Sequence, residues 1–221
     1  MLEKEYNERE ESYYAYERHE MLKYIPSDVK YVLDVGCSSG AFGSAIKKKF
    51  NCQVWGIEPD KKSAEKAGTL LDKVYNTIFD DEIDLVGQKF DCIFFNDVLE
   101  HLVDPFNALE VCKRHLSSTG LLISSVPNIR FFDAMYHIVV HKDFNYVGAG
   151  IFDKTHLRFF TKKSTERMFL QAGYEIKLIE GINSIKEINN RGYKNFTILN
   201  TIFFNSLADM EYQQFAVVAK P

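Results

Sequence analysis

The stretch NDVLEHLVDP, residues 96–105, carries Asp97, Glu100 and His101 at i, i+3 and i+4. If the chain turns helically there, the three side chains share one face. A histidine titrates close to neutral pH, which suits it to removing a proton from a hydroxyl nucleophile. The plainer reading is a histidine hydrogen-bonded in place to orient its own loop. Earlier in the chain, VLDVGCSSGAFG (32–43) reads as a buried strand running into a loop with glycines at 36, 40 and 43. Such loops cradle nucleotides. Ser38 stands at the middle glycine of the dinucleotide fingerprint G-x-G-x-x-G, and no Gly-Lys-Ser/Thr follows as a phosphate loop requires. Asp34, just before the turn, suits a ligand with a cationic end better than a phosphate. Glu58, in IEPD (57–60), closes the next strand about twenty residues after the first glycine, where an acidic side chain can take the two hydroxyls of a ribose.

These residues need a scaffold that brings strand ends together. Strand candidates are 31–36, 53–58, 73–76, 90–96 and 120–126, each short, apolar and rich in β-branched or aromatic residues, as strands covered on both faces should be. Helical stretches alternate with them at 41–50, 61–71 and 105–116. The last has Asp104 as N-cap and Pro105 in its first turn. The alternation predicts parallel strands joined by right-handed crossovers. After Pro127 the rhythm breaks into an aromatic, irregular segment, about 128–160, which reads as a cap or substrate lid through Phe131, Phe132, Tyr136, Phe144, Tyr146, Phe152, Phe159 and Phe160. A helix over 161–173 stopping on Gly173 follows. Two further strands read at 174–182 and 215–220, with a long excursion between them. The first residues, about 1–28, read as a helix bearing Tyr13, Tyr14 and Tyr16. The whole is read as one domain, 1–221.

The 221 residues suffice for one α/β domain with a real core. A net charge of -4 argues against a general binder of nucleic acid or anionic membrane. No run is long enough to span a membrane, and the acidic start lacks the apolar core of a signal peptide. Cys37, Cys52, Cys92 and Cys112 form no CxxC pair, which points to a reduced, cytoplasmic protein without a structural zinc site.

VLDVGCSSGAFG, IEPD, FDCIFFNDVLEHLVDP and LLISSVPN together resemble the successive motifs of class I S-adenosylmethionine-dependent methyltransferases, over roughly residues 13–180. The resemblance implies a Rossmann-like, seven-stranded, mostly parallel sheet with helices on both faces and an antiparallel last strand. It implies S-adenosylmethionine as cofactor: Asp34, Gly36 and Gly40 along its methionine part, Cys37 through its backbone, Glu58 at the ribose, Pro59 beside the adenine, Asp80 at the adenine amino group and Asn96 near the methionine moiety. The loop departs from the family at Ser38, where glycine is usual. VLEHL resembles the branch containing ubiquinone-precursor and sugar O-methyltransferases, and DKTHLRFFT, with His156 and Arg158, resembles a motif of the sugar-directed relatives. The implied reaction is methylation of an oxygen on a small-molecule or sugar-like acceptor, with His101 or His156 as base. Arg158 would fix an anionic substrate group or pair with a nearby acid. A resemblance to small-RNA 2′-O-methyltransferases adds an alternative, a divalent metal on Asp97, Glu100, His101 and His156. A cofactor-binding protein without catalysis also remains open, as do acceptor and oligomeric state.

Overall fold

The computed structural model describes residues 17–221. Seven strands form one sheet: β1 (Tyr31–Val35), β2 (Gln53–Ile57), β3 (Lys73–Tyr75), β4 (Phe90–Asn96), β5 (Leu116–Pro127), β6 (Glu175–Ser184) and β7 (Tyr212–Lys220). Their spatial order is β3-β2-β1-β4-β5-β7-β6. The first five run parallel, and β7 lies antiparallel between β5 and β6. This is the expected fold class. The predicted strands match to within a few residues, β5 and β7 starting earlier than their apolar runs.

Strand alternation divides the core. Leu33, Val35, Ile93, Phe95, Leu122 and Val217 face one side of the sheet, where they pack with Leu109, Met168 and Phe169. Val32, Cys92, Phe94, Ile123, Ala216 and Val218 face the other, with Phe42 and Ile46. Side chains two apart share a face, so every strand supplies both layers, and these near-continuous apolar runs suit a sheet covered on both sides.

Seven helices are described: α1 (Ala41–Phe50), α2 (Lys61–Ala67), α3 (Pro105–His115), α4 (Phe132–Tyr136), α5 (Lys162–Gln171), α6 (Ile185–Ile188) and α7 (Asn190–Ile202). Local chemistry sets their ends. Asp60 caps α2 by accepting from Ser63 N at 2.8 Å, and Asp104 caps α3 by accepting from Asn107 N at 3.0 Å. Thr161 and Ser164 form a capping box on α5. The chain leaves α5 through Gly173 at φ 74°.

The N-terminal reading needs correction within the described residues. His19–Tyr24 is a 3-10 turn, and Arg18 before it sits at φ 47°, so no continuous α-helix runs through residue 18. Tyr13, Tyr14 and Tyr16 lie outside the described residues. The excursion between β6 and β7 holds α6 and α7. A third apolar cluster, with Phe131, Phe132, Ile151, Ile185, Phe196 and Met210, joins that excursion to the 128–160 insertion.

Candidate active site

The sheet order reverses at β1, which has β2 on one side and β4 on the other. Open α/β sheets bind ligands outside the carboxyl ends of their strands at such a point. A cavity of about 810 Å³ lies there, lined by Asp34, Gly36, Cys37 and Ser38 after β1, Glu58 and Pro59 after β2, and Asn96 and Asp97 after β4. Thr77, Ile78 and Phe79 close one end. Glu100, His101, Ile151, His156, Asn183 and Gln214 are among the residues that close the other.

At the first end the loop after β1 is pinned to β2. Gly36 N and Cys37 N both donate to Ile57 O, at 2.8 and 3.1 Å. Gly36 has φ 73°, and a Cβ there would lie 2.6 Å from Val98 Cγ2. Glycine at this positive φ is therefore what lets Val98 pack directly on the loop backbone. Ser38, at φ 50°, adopts the left-handed conformation that favours glycine. Its N–H donates to Glu58 Oε2 at 2.8 Å, while its hydroxyl is buried without a hydrogen-bond partner. The serine thus keeps the loop shape that a glycine would take. Gly40 does not line the cavity. It opens α1 at φ 83°, packed against α2, with Ala67 Cα 3.0 Å from where a Cβ would be.

Glu58 is buried and accepts from Ser38 N and from Asp60 N, at 2.8 and 2.9 Å. Burial pushes its carboxyl up, against the pull of the two N–H donors. Each oxygen keeps a lone pair for a further donor. Burial, with the Glu58 charge adding to it and Arg18 opposing, pushes the Asp34 carboxyl up to about 7. Both amide atoms of Asn96 are buried without a hydrogen-bond partner, an orphaned donor and acceptor on the cavity wall. Asp80 stands outside the lining. Its carboxylate accepts from Glu82 N at 3.0 Å, and its neighbour Phe79 takes the place on the wall.

At the far end, the expected shared face of Asp97, Glu100 and His101 does not form. Asp97 sits at φ 54°, and only Leu99–His101 turns, as a 3-10 helix. Asp97 is instead held by Arg18, by Ser125 Oγ at 2.9 Å and by Gln214 Nε2 at 2.7 Å. Burial pushes its carboxyl up, but Arg18 and the three side-chain hydrogen bonds outweigh this and hold it below the usual carboxylate range. Gln214 Oε1 in turn accepts from Asn183 Nδ2 at 2.6 Å. Arg18, Asn183 and Gln214 were not singled out by the sequence reading. The only signal was a polar pair, Gln213-Gln214, opening an otherwise apolar strand.

Glu100, His101 and His156 do converge. Each offers a ligand atom, all within 4.8 Å of one another. Glu100 is fully buried, with neither carboxyl oxygen hydrogen-bonded, and burial followed by the Asp97 charge pushes its carboxyl well up. His156 Nε2 lies 3.8 Å from Glu100 Oε1. The two imidazole rings stand 4.7 Å apart, edge to face. His101 Nδ1 lies 3.1 Å from Thr155 O, and His156 Nδ1 lies 3.1 Å from Ile151 O. Arg158 is a clamp, donating to Leu102 O and, at 2.6 Å, to Val103 O. It does not line the cavity, and both of these guanidinium bonds go to main-chain carbonyls rather than to an acid. None of the eight aromatic residues of the insertion lines the cavity either; the wall there is Gly150, Ile151 and His156. Phe131, Phe132 and Phe160 are buried in apolar clusters.

Residues 6–178 match the family model described as a methyltransferase domain. A ubiquinone biosynthesis O-methyltransferase of Actinobacillus pleuropneumoniae serotype 7 (strain AP76) is 34% identical over 109 residues, which are 45% of this chain and 46% of that protein. The enzyme of that name from Histophilus somni (strain 2336) is 29% identical over 124 residues, 52% of each chain. The chain thus spans about half the length of the curated relatives it matches. A SAM-dependent methyltransferase from Archaeoglobus fulgidus superposes with a TM-score of 0.66 at 17% identity, covering 91% of each chain, and shares the fold. The chain belongs to the methyltransferase-domain family, within the class I S-adenosylmethionine-dependent methyltransferases.

Proposed function

We propose that the protein transfers the methyl group of S-adenosylmethionine to a hydroxyl oxygen of a small-molecule or sugar-like acceptor. The observation that carries this reading is the division of one cavity. Buried Glu58 and the orphaned Asn96 amide stand on its cofactor side, and Glu100, His101 and His156 gather on the other.

The residues fit the cofactor. The free lone pairs of Glu58 match a ribose diol, and the unpaired amide of Asn96 matches the ammonium and carboxylate of the methionine part. Asp34 and the Gly36–Ser38 backbone face the same part. Pro59, Ile78 and Phe79 supply apolar surface for adenine, while Asp80, expected at the adenine amino group, stands outside the lining. The cofactor supplies a methyl group already activated on a sulfonium. The chain is left to align the acceptor, exclude water and receive a proton. His101 is the base in this reading, with His156 beside it. Leu102, Pro127, Ile151 and Ile188 give the acceptor end apolar walls, with Asn183 and Gln213 as polar contacts. The named function of the curated relatives supports oxygen as the atom methylated. Among the described residues no helix is long and apolar enough to cross a membrane, and the free cysteines fit a cytoplasmic setting.

Calorimetric titration with S-adenosylmethionine, S-adenosylhomocysteine and NADH tests the cofactor. The two adenosyl ligands should bind and NADH should not, and a silent titration with both adenosyl ligands would refute the assignment. Glu58→Ala should weaken that binding by about 1–3 kcal/mol through lost hydrogen bonds. Unchanged affinity would remove Glu58 from the site. Transfer of labelled methyl to a panel of phenols and sugars separates an enzyme from a binding protein. His101→Ala should lower turnover by about a hundredfold or more while leaving adenosyl-ligand affinity nearly intact. An equal loss of both would favour an orienting role.

The convergence of one carboxylate and two imidazoles supports a second reading, in which a divalent ion on Glu100, His101 and His156 activates the acceptor. Each imidazole has its Nδ1 against a main-chain carbonyl, as metal-bound histidines commonly do. Two nitrogens and one oxygen suit zinc or manganese better than magnesium. Asp97 is drawn out of that set by Arg18. Elemental analysis showing one ion per chain, with activity lost on chelation and restored by that ion, would favour this reading.

A further inference from the structure

We propose that Asp153 is a positioning residue for His101. By taking the hydroxyl hydrogen of Thr155, it fixes which ring nitrogen of His101 carries the proton. The inference rests on the reading of His101 as the base and adds the means by which its basic lone pair is placed.

Asp153 is fully buried, and its Oδ1 accepts from Thr155 N at 2.8 Å and from Thr155 Oγ1 at 2.7 Å. A threonine hydroxyl has one hydrogen. With that hydrogen given to Asp153, Oγ1 turns a lone pair toward His101 Nδ1, 3.1 Å away. Thr155 O lies at 3.1 Å from the same nitrogen and can only accept. Two acceptors facing one ring nitrogen require it to be the N–H, so the neutral ring holds its lone pair on Nε2. Without the carboxylate, the Thr155 hydroxyl is able to rotate and donate to Nδ1 instead. That rotation would favour a proton on Nε2 and leave no base there. A base in the wrong tautomer is lost to catalysis even when its geometry is intact.

The segment has other supports. His156 N donates to Asp153 O at 3.0 Å, and Leu157 N and Arg158 N donate to Glu100 O at 2.9 and 3.2 Å. These main-chain bonds hold the neighbouring segment independently of the Asp153 carboxylate.

The test is nitrogen NMR of the full chain with labelled histidine, read on the neutral-ring signals. In the unaltered protein His101 should carry its proton on Nδ1. Asp153→Ala should move a substantial fraction to Nε2. Asp153→Asn should not, because the amide oxygen accepts the same hydrogen. The double variant Asp153→Ala with Thr155→Val should return His101 to the Nδ1 tautomer, since no hydroxyl hydrogen remains to compete. Affinity for S-adenosylhomocysteine should be unchanged throughout. A proton on Nε2 in the unaltered protein overturns the proposal, as does a double variant that matches Asp153→Ala. Should Asp153→Ala fail to fold, Asp153→Leu, which has a similar shape and no acceptor, is read in its place and should likewise move a substantial fraction to Nε2; a proton still on Nδ1 there overturns the proposal. Failure of the base reading is a different result: full turnover in His101→Ala with the tautomer pattern intact.

Discussion

Arg18→Met should destabilise the protein by about 3 kcal/mol at pH 7, among the largest losses any single surface-distant change would cause here. Arg18 and Asp97 form a largely desolvated pair, with side chains 13% and 22% exposed. Removing the guanidinium leaves the Asp97 carboxylate with only Ser125 and Gln214 as side-chain donors. The remaining charge stays buried, and the loss is dominated by that uncompensated charge rather than by the broken contact. The pH dependence gives the sign. In the unaltered protein Asp97 is held below the usual carboxylate range, so its contribution is present above about pH 4 and fades as pH falls through the folded value. In the variant that contribution is gone, and protonation relieves the buried charge. The gap between the two proteins should therefore narrow from pH 7 toward pH 4. Adding Asp97→Asn should restore most of the stability at neutral pH. Chemical denaturation at the two pH values reads all of this, and a gap that widens on acidification would refute it.

Asp34 should behave in the opposite sense. Its folded value, about 7, lies above the ordinary carboxylate value, so the folded chain binds this proton more tightly than the unfolded one. The ligand-free protein should then lose stability as pH rises from about 4 to about 7 and level off above that. Three pH units correspond to on the order of 4 kcal/mol. Asp34→Asn should flatten that slope and make the ligand-free protein more stable than the original at pH 8. Binding should run the other way. A cationic ligand end favours the ionised carboxylate, so affinity for S-adenosylmethionine should rise as pH passes through about 7. Asp34→Asn should bind it at least tenfold more weakly at pH 8. Matching denaturation profiles and pH-independent affinity in the two proteins would show that Asp34 neither titrates as described nor faces the ligand.

Local pattern made most of the scaffold legible. Short apolar runs at 31–36 and 90–96 marked strands covered on both faces, and Asp104 and Gly173 marked helix ends where the structure has them. The cofactor side followed because Asp34, Gly36, Cys37, Glu58 and Pro59 lie in two short segments whose strands pair in register, Asp34 opposite Gly56 and Val35 opposite Ile57. Ser38 was the doubtful residue of the loop, and the structure resolves it by a left-handed serine. The acceptor side was less legible. Whether Asp97 joins Glu100 and His101 depends on one backbone angle and on an arginine some eighty residues earlier, and neither leaves a periodic trace. Phe79 displaced Asp80 because loop register after β3 is set by packing against Phe95 rather than by spacing. Of the aromatic insertion, Gly150, Ile151 and His156 reach the cavity, and none of these three is one of its aromatic Phe or Tyr residues.

The grip on Asp97 also says something about order in time. Its holders come from a segment before β1, from β5 and from β7, so one carboxylate at the end of β4 joins chain made early to chain made late. A growing polypeptide can pair β1 with β2 and β4 well before β7 exists. Until β7 inserts between β5 and β6, Arg18 and Asp97 lack Gln214, and the acceptor end lacks part of its wall. Non-local pairing of this kind is slow relative to local structure. The nascent chain should therefore pass through a stage with a formed cofactor loop and an open acceptor end, becoming competent for chemistry only in its last folding step.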